Sequence, residues 1–127
     1  MNWLLVACGG AIGASLRYGV GLFITPLHAG FPWATWIINN VGCLFAGIFF
    51  AVSMKYSVLQ NEARLFLMVG ILGGFTTFSS FGLETFQLLR HDQIMLAGLY
   101  VISSLIIGIL VLGIGYYITH WIMISAK

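Results

Sequence analysis

Residues Gly70 to Phe86 read GILGGFTTFSSFGLETF, and the fold turns on them. Glycines, threonines, serines and one glutamate sit among phenylalanines, with apolar runs on both sides. Gly73-Gly74 followed by Thr76-Thr77 makes a poor helix interior and a good place to break one. Glycine permits unusual backbone angles, and a threonine can cap a helix that restarts near Phe78. A break at membrane depth is tolerated only where protein buries it or water reaches it. It frees carbonyls that attract a cation, and N–H groups at the restarted helix. Past the break, at helical spacing, Phe78, Phe81 and Thr85 share one face, while Thr77, Ser80 and Glu84 share the neighbouring one. An aromatic ladder thus runs beside a hydroxyl ladder. In the bland alternative the rings face lipid and the hydroxyls bond back to their own helix. That reading suits any one residue but strains to cover both ladders and the double glycine.

Outward from this segment the chain is apolar. Of 127 residues 61% are hydrophobic and 6% charged, with a mean hydropathy of +1.05, whereas about a quarter of a soluble domain is charged. Four apolar stretches, about 3–25, 32–54, 65–89 and 94–122, each approach the roughly 20 residues that span a bilayer core. The expected fold is an all-α membrane protein, one domain of four transmembrane helices, the third broken near Gly73–Thr77. Pro26, His28, Gly30 and Pro32 punctuate the first connection, residues 55–64 form the second and residues 90–92 the third. Trp3, Trp33, Trp36, Tyr56 and Trp121 fall near span ends, as interfacial aromatics do. The first apolar run lacks a preceding basic residue and exceeds a signal-peptide core. Lys55, Arg64 and Lys127 share one side of the membrane; Arg90, with Arg17 reaching out of its helix, lies opposite. So even a balance orients the chain weakly, which leaves two readings: insertion both ways, with an antiparallel two-fold dimer, or an orientation decided by other features.

Polar residues recur inside the other spans. Gly9, Gly13, Arg17 and Gly21 follow one another every four residues, and Gly9-x-x-x-Gly13 lets a neighbouring helix approach closely. Arg17 shares that packing face, which favours a vestibule or assembly role over snorkelling to an interface. In the second span Asn39 projects with Cys43 beside Gly42, Ala46 and Gly47. Its amide suits an anion or a helix partner, and spacing alone favours the partner. Tyr100, Ser104 and Gly108 form a second hydroxyl-bearing face in the fourth span.

These parts exclude several functions. No Ser/His/Asp grouping, carboxylate pair or phosphate loop is present; His28, His91 and His120 share no helix, and Cys8 and Cys43 lack metal-ligand spacing. An enzyme is not expected, and the small net charge of +2 offers no nucleic-acid surface. Glu84 alone stands for the embedded carboxylate that cation transport requires. What remains is hydroxyls, an amide, an arginine and ring edges, whose positive rim favours anions.

Gly9-Gly10-Ala11-Ile12-Gly13-Ala14-Ser15-Leu16-Arg17-Tyr18, Asn39-x-x-Gly42, Gly70-x-x-Gly73-Gly74-Phe75-Thr76-Thr77-Phe78-Ser79-Ser80-Phe81 and Tyr100-x-x-x-Ser104 resemble, in order, the CrcB/Fluc fluoride channels. The third-span motif is highly specific. The resemblance implies a passive, fluoride-selective channel in the cell (inner or plasma) membrane that exports fluoride and relieves its toxicity. It further implies an antiparallel dual-topology homodimer with two pores and a structural Na+ on its axis. Carried over, Asn39 is the pore amide, Phe78 and Phe81 the aromatic box, and Ser80, Tyr100 and Ser104 the polar path. Arg17 belongs to the vestibule, and the carbonyls of Gly73 and Thr76 from both subunits hold the sodium. Ser80 stands where the family often has Thr, and Cys43 where a Ser is common. A small four-helix multidrug exporter, also a dual-topology dimer, is the alternative; it needs an acidic residue in the first span, which this chain lacks. A non-transporting assembly subunit would leave the polar ladders without use.

Overall fold

In a computed structural model, residues 2–24 and 30–125 are described; Thr25, Pro26, His28 and Lys127 lie outside them. Helix α1 covers Asn2–Ile24 and α2 covers Trp33–Lys55. A 3₁₀ turn at Ser57–Gln60 leads into α3, residues 62–75, which is π-helical over Leu65–Leu72. Helix α4 runs Phe78–Arg90 and α5 runs Ile94–Ser125. The four expected spans are present, each long and apolar enough to cross a membrane, with α3 and α4 together making the third. The third starts about one turn earlier than the apolar run suggested, because Glu62 and Arg64 already lie in helix.

Parallel helix pairs assemble the bundle. Along α1 and α3, Gly9 meets Phe66 and Gly70, and Gly13 meets Ile71 and Phe75. A Cβ on Gly13 would stand 2.1 Å from the Ile71 carbonyl oxygen, and one on Gly74 would stand 2.6 Å from that of Gly10. Only residues without side chains allow so close a backbone approach. Gly70-x-x-x-Gly74 on α3 is therefore the counterpart of Gly9-x-x-x-Gly13 on α1. The seam does not extend along the whole expected stripe, since a Cβ on Gly21 would meet nothing within 4 Å. The second pair is α2 with α5, where Trp36 meets Ser103, Gly108 faces Asn40 and Cys43, and Gly115 abuts the Leu44 carbonyl.

Very little of the chain is buried in itself. Tyr100, Ala97 and Leu88 form a small core, walled by Phe31, Trp36, Phe81 and Leu96. Most long apolar side chains of α5, from Ile94 to Ile124, are exposed, an arrangement that only lipid or another protein surface solvates favourably. Trp3 and Trp121 are exposed near span ends, as expected of interfacial aromatics. Trp36 is not among them: its indole N–H donates to Ser103 Oγ at 3.0 Å, and its ring lies against the core.

Candidate functional site

The third span does break, and its threonines make the break. Gly73 keeps helical angles (φ −63°, ψ −35°), and the helix continues through Phe75. Thr76 (φ −80°, ψ 158°) and Thr77 (φ −151°, ψ 119°) are extended, and α4 starts at Phe78. Threonine suits this task twice over. Its β-branch is at ease in extended backbone, and its hydroxyl can replace a lost helical bond. Thr76 Oγ1 donates back to the Leu72 carbonyl at 2.8 Å, closing α3. Thr77 Oγ1 accepts the Ser80 N–H at 3.1 Å, capping α4.

A side chain from α2 completes the junction. Asn39 Nδ2 donates to the Thr77 carbonyl at 3.1 Å, and Asn39 Oδ1 accepts the Thr77 N–H at 2.8 Å. The amide thus pairs with one extended residue much as a neighbouring β-strand would. In an unbroken helix the N–H groups of Thr77 and Ser80 would go to the carbonyls of Gly73 and Thr76. Here they go to the side chains of Asn39 and Thr77, so those two carbonyls lose their helical donors. Both residues line a groove of about 390 Å³ with Asn39, Cys43, Met68 and Phe78.

Beyond the break a file of rings and hydroxyls leads along α4. Phe78 is 83% exposed, and its ring centroid lies 5.7 Å from that of Phe81. Phe81 in turn lies 5.1 Å from Tyr100. Tyr100 is wholly buried and donates its hydroxyl to Glu84 Oε2 at 2.7 Å. Thr35 Oγ1 donates to the other carboxylate oxygen of Glu84, also at 2.7 Å. Glu84 in addition lines a polar cleft of about 570 Å³ with Gln87, Arg90 and His91, at the end of α4. Hydroxyls near the break are linked too, with Thr77 Oγ1 donating to Ser80 Oγ at 3.1 Å.

The family model for CrcB-like proteins (Camphor Resistance, CrcB) matches residues 4–116. The chain belongs to this family. Three relatives called fluoride-specific ion channel FluC illustrate the likeness. One from Thermus thermophilus is 48% identical over 116 residues, or 91% of each chain. That of Hyphomonas neptunium is 47% identical over 121 residues, covering 94% of this chain and 95% of the other. A third, from Chloroflexus aurantiacus, is 40% identical over 94% of this chain. With its four apolar spans, this CrcB-like chain is a multi-pass membrane protein.

The residues singled out in the sequence fall into three groups. Asn39, Phe78, Ser80 and Phe81 gather at the break and along α4, with Tyr100 facing them from α5. Arg17 is half-buried one turn beyond Gly13, at the end of the glycine seam. Ser104 stands apart from the file. Its Oγ is shut off from solvent and has no hydrogen-bond partner among the described residues. The structural reading of Asn39 holds for one of its two amide hydrogens, since the second is not engaged by Thr77. The bland alternative for the hydroxyls also holds in part, because Thr76 and Thr85 bond back to their own helices. Thr35 is a member of the site that the sequence motifs do not mark. Its signal was its place one helical turn before Asn39, on the same face of α2.

Proposed function

We propose that this CrcB-like chain is a passive fluoride channel of the plasma (inner) membrane, working as an antiparallel dual-topology homodimer. One observation carries the reading: the third span breaks at Thr76–Thr77, Asn39 clamps it, and it opens onto the Phe78–Phe81–Tyr100 file. Near full-length relatives named as fluoride-specific channels support it. Fluoride is small and tightly hydrated, so its water must be replaced by close donors. The free amide hydrogen of Asn39 and the hydroxyl of Ser80 provide conventional ones, and the ring edges of Phe78 and Phe81 provide weak ones, of order 1 kcal/mol each. Weak successive contacts suit conduction, because an ion held firmly would not leave. Tyr100 belongs to this path through its ring, its proton being committed to Glu84. Ser104, whose Oγ stands apart from this file in the single chain, is left out of it, and Arg17 makes the vestibule electropositive.

The residues at the break fit a structural sodium. Gly73 and Thr76 carry the carbonyls whose helical donors are diverted, and Gly73 is exposed on the surface of the single chain. Two chains related by a two-fold axis through this surface would bring four such oxygens together, a hard-oxygen cage suited to Na+. The ion would lie between the pores and neutralise the carbonyl dipoles there. The alternative, a multidrug exporter, is poorly served: α1 has no acidic residue, and Glu84 already accepts bonds from Thr35 and Tyr100.

Fluoride efflux from proteoliposomes tests the function, with chloride as control. The unmodified protein passes fluoride rapidly, and Phe78→Ile, which keeps apolar bulk and loses the quadrupole, passes little. Phe86→Ile, on another face, conducts nearly normally. Equal flux through Phe78→Ile and the unmodified protein would place the pore on another face. For the dimer, C-terminal tags on separate copies should be labelled from both membrane sides; labelling from one side alone overturns the antiparallel arrangement. Exchange of sodium for a bulky organic cation should lower flux or dimer stability.

A further inference from the structure

The cleft of about 570 Å³ at the end of α4 holds polar side chains that the ring file does not use. Gln87, Arg90, His91 and Gln93 all line it, and none of their side chains has a hydrogen-bond or ion-pair partner among the described residues. Each of the four can donate an N–H. Helical spacing puts Glu84, Gln87 and His91 on one face, with Arg90 in the last turn of α4. Gly30 and Pro32, which precede α2, line the cleft as well.

Glu84 sets the electrostatic problem here. Its two oxygens accept from Thr35 and Tyr100 at 2.7 Å each, and it also lines the cleft. The carboxyl group therefore joins the core around Tyr100 to an open polar space. A small anion crossing that space meets acceptors, and a carboxylate charge repels it. Among the described residues that line the cleft, Arg90 is the one fixed positive charge. Arg17 on α1 does not line it, and neither does Asp92, two residues beyond Arg90.

We propose that Arg90 recruits anions to this cleft: its charge offsets that of Glu84 and raises the local concentration of small hydrated anions at this mouth of the path. The inference rests on the channel reading above and adds to it a residue outside the third-span motif and apart from Arg17. A water occupies about 30 Å³ in the liquid, so the cleft has room for an anion with its hydration shell. Gln87, Arg90, His91 and Gln93 are exposed and form no closed cage, so the anion keeps its water here. Arg90 thus acts on rate and not on selectivity. A simpler role for it is support of α4, since a cation in the last turn suits the helix dipole. That role moves stability and leaves flux alone.

Fluoride efflux from proteoliposomes, read at two ionic strengths set with an impermeant salt, tests the assignment. At about 10 mM, where the Debye length is about 30 Å, Arg90→Gln should lower flux on the order of tenfold. Arg90→Glu should lower it further, and Arg90→Lys should recover most of it, because the charge alone is needed. At about 1 M the Debye length is about 3 Å, and the variants should converge. The ratio of fluoride to chloride flux should be the same in all of them. Equal flux through Arg90→Gln and the unmodified protein at low ionic strength overturns the proposal. So does a loss that Arg90→Lys does not restore, or one that salt does not narrow. An unmodified protein that passes no fluoride sinks the channel reading and this one with it; normal flux that Arg90→Gln leaves intact sinks this one alone.

Discussion

Helix α1 meets α3 through bare backbone, whereas α4 meets α2 and α5 through hydrogen-bonding side chains. In the first contact Gly9, Gly13, Gly70 and Gly74 bring main chains so close that any side chain would collide with a carbonyl or Cα. In the second, Asn39, Thr77, Thr35, Glu84 and Tyr100 bond across the interface. The difference follows from the state of the helix being packed. Through α1 and α3 the backbone satisfies itself, so that seam needs only close van der Waals fit. At Thr76–Thr77 the backbone does not satisfy itself, and neighbouring elements must supply what the helix has lost. One seam is therefore sensitive to added atoms, the other to lost polar groups.

The largest expected effect tests that sensitivity on the glycine side. In Gly13→Ala the new methyl would fall 2.1 Å from the Ile71 carbonyl oxygen and 2.8 Å from the Phe75 backbone nitrogen. Backbone cannot swing aside as a flexible side chain does, so the cost is on the order of 3 kcal/mol or more. Size-exclusion chromatography should show loss of the folded species. A monodisperse Gly13→Ala protein of unchanged Tm would mean that the seam is looser than it looks.

Next comes the polar junction. Asn39→Leu removes both bonds to Thr77 and leaves a main-chain N–H and C=O without them, at about 1–3 kcal/mol each. The break should lose its fixed geometry, and fluoride flux should drop by at least about tenfold, with Tm also reduced. Retention of flux in a folded Asn39→Leu protein would show that something else holds the junction.

A smaller effect is expected from Tyr100→Phe. The ring keeps its contacts with Phe31 and Phe81, and only the 2.7 Å bond to Glu84 disappears. Loss of a hydrogen bond of this kind costs roughly 1–3 kcal/mol, and Tm should fall by a few degrees; an unchanged Tm would show that the bond adds nothing to the fold. The smallest effect belongs to Gly19→Ala on α1, where a Cβ would meet nothing within 4 Å. Helix propensity then favours alanine by roughly 0.8–1.0 kcal/mol, and Tm should hold or rise slightly. A large loss at Gly19 would locate a further packed surface on that face of α1.

Much of this was legible in the residues, with one reversal. The third-span motif placed the break within a few residues, and its capping threonine was read correctly from Thr77 and the restart at Phe78. In the sequence the double glycine points to itself as the cause of the break. Instead Gly73 and Gly74 remain helical, and Gly74 serves the approach to α1. Glycine fits both tasks, and nothing local tells them apart: one needs unusual angles, the other a missing side chain. Trp36 misled for a similar reason. Its position near a span end suggests the interface, but its indole N–H has an inward partner in Ser103, 67 residues away in sequence.

The sequence by itself determined that this is a four-span membrane protein, where its third span is interrupted, and to which family it belongs. Those properties rest on run length, apolarity and local motif, each read along the chain without knowledge of neighbours. Only the tertiary structure decided what each polar group does. Asn39 could have faced an anion or a helix, and its amide closes on Thr77; Glu84 could have stood at an interface, and Thr35 and Tyr100 hold it from two other helices. The reason is physical. Polar groups at membrane depth take their role from the partner that satisfies them, and here the partners are 16 to 49 residues distant along the chain.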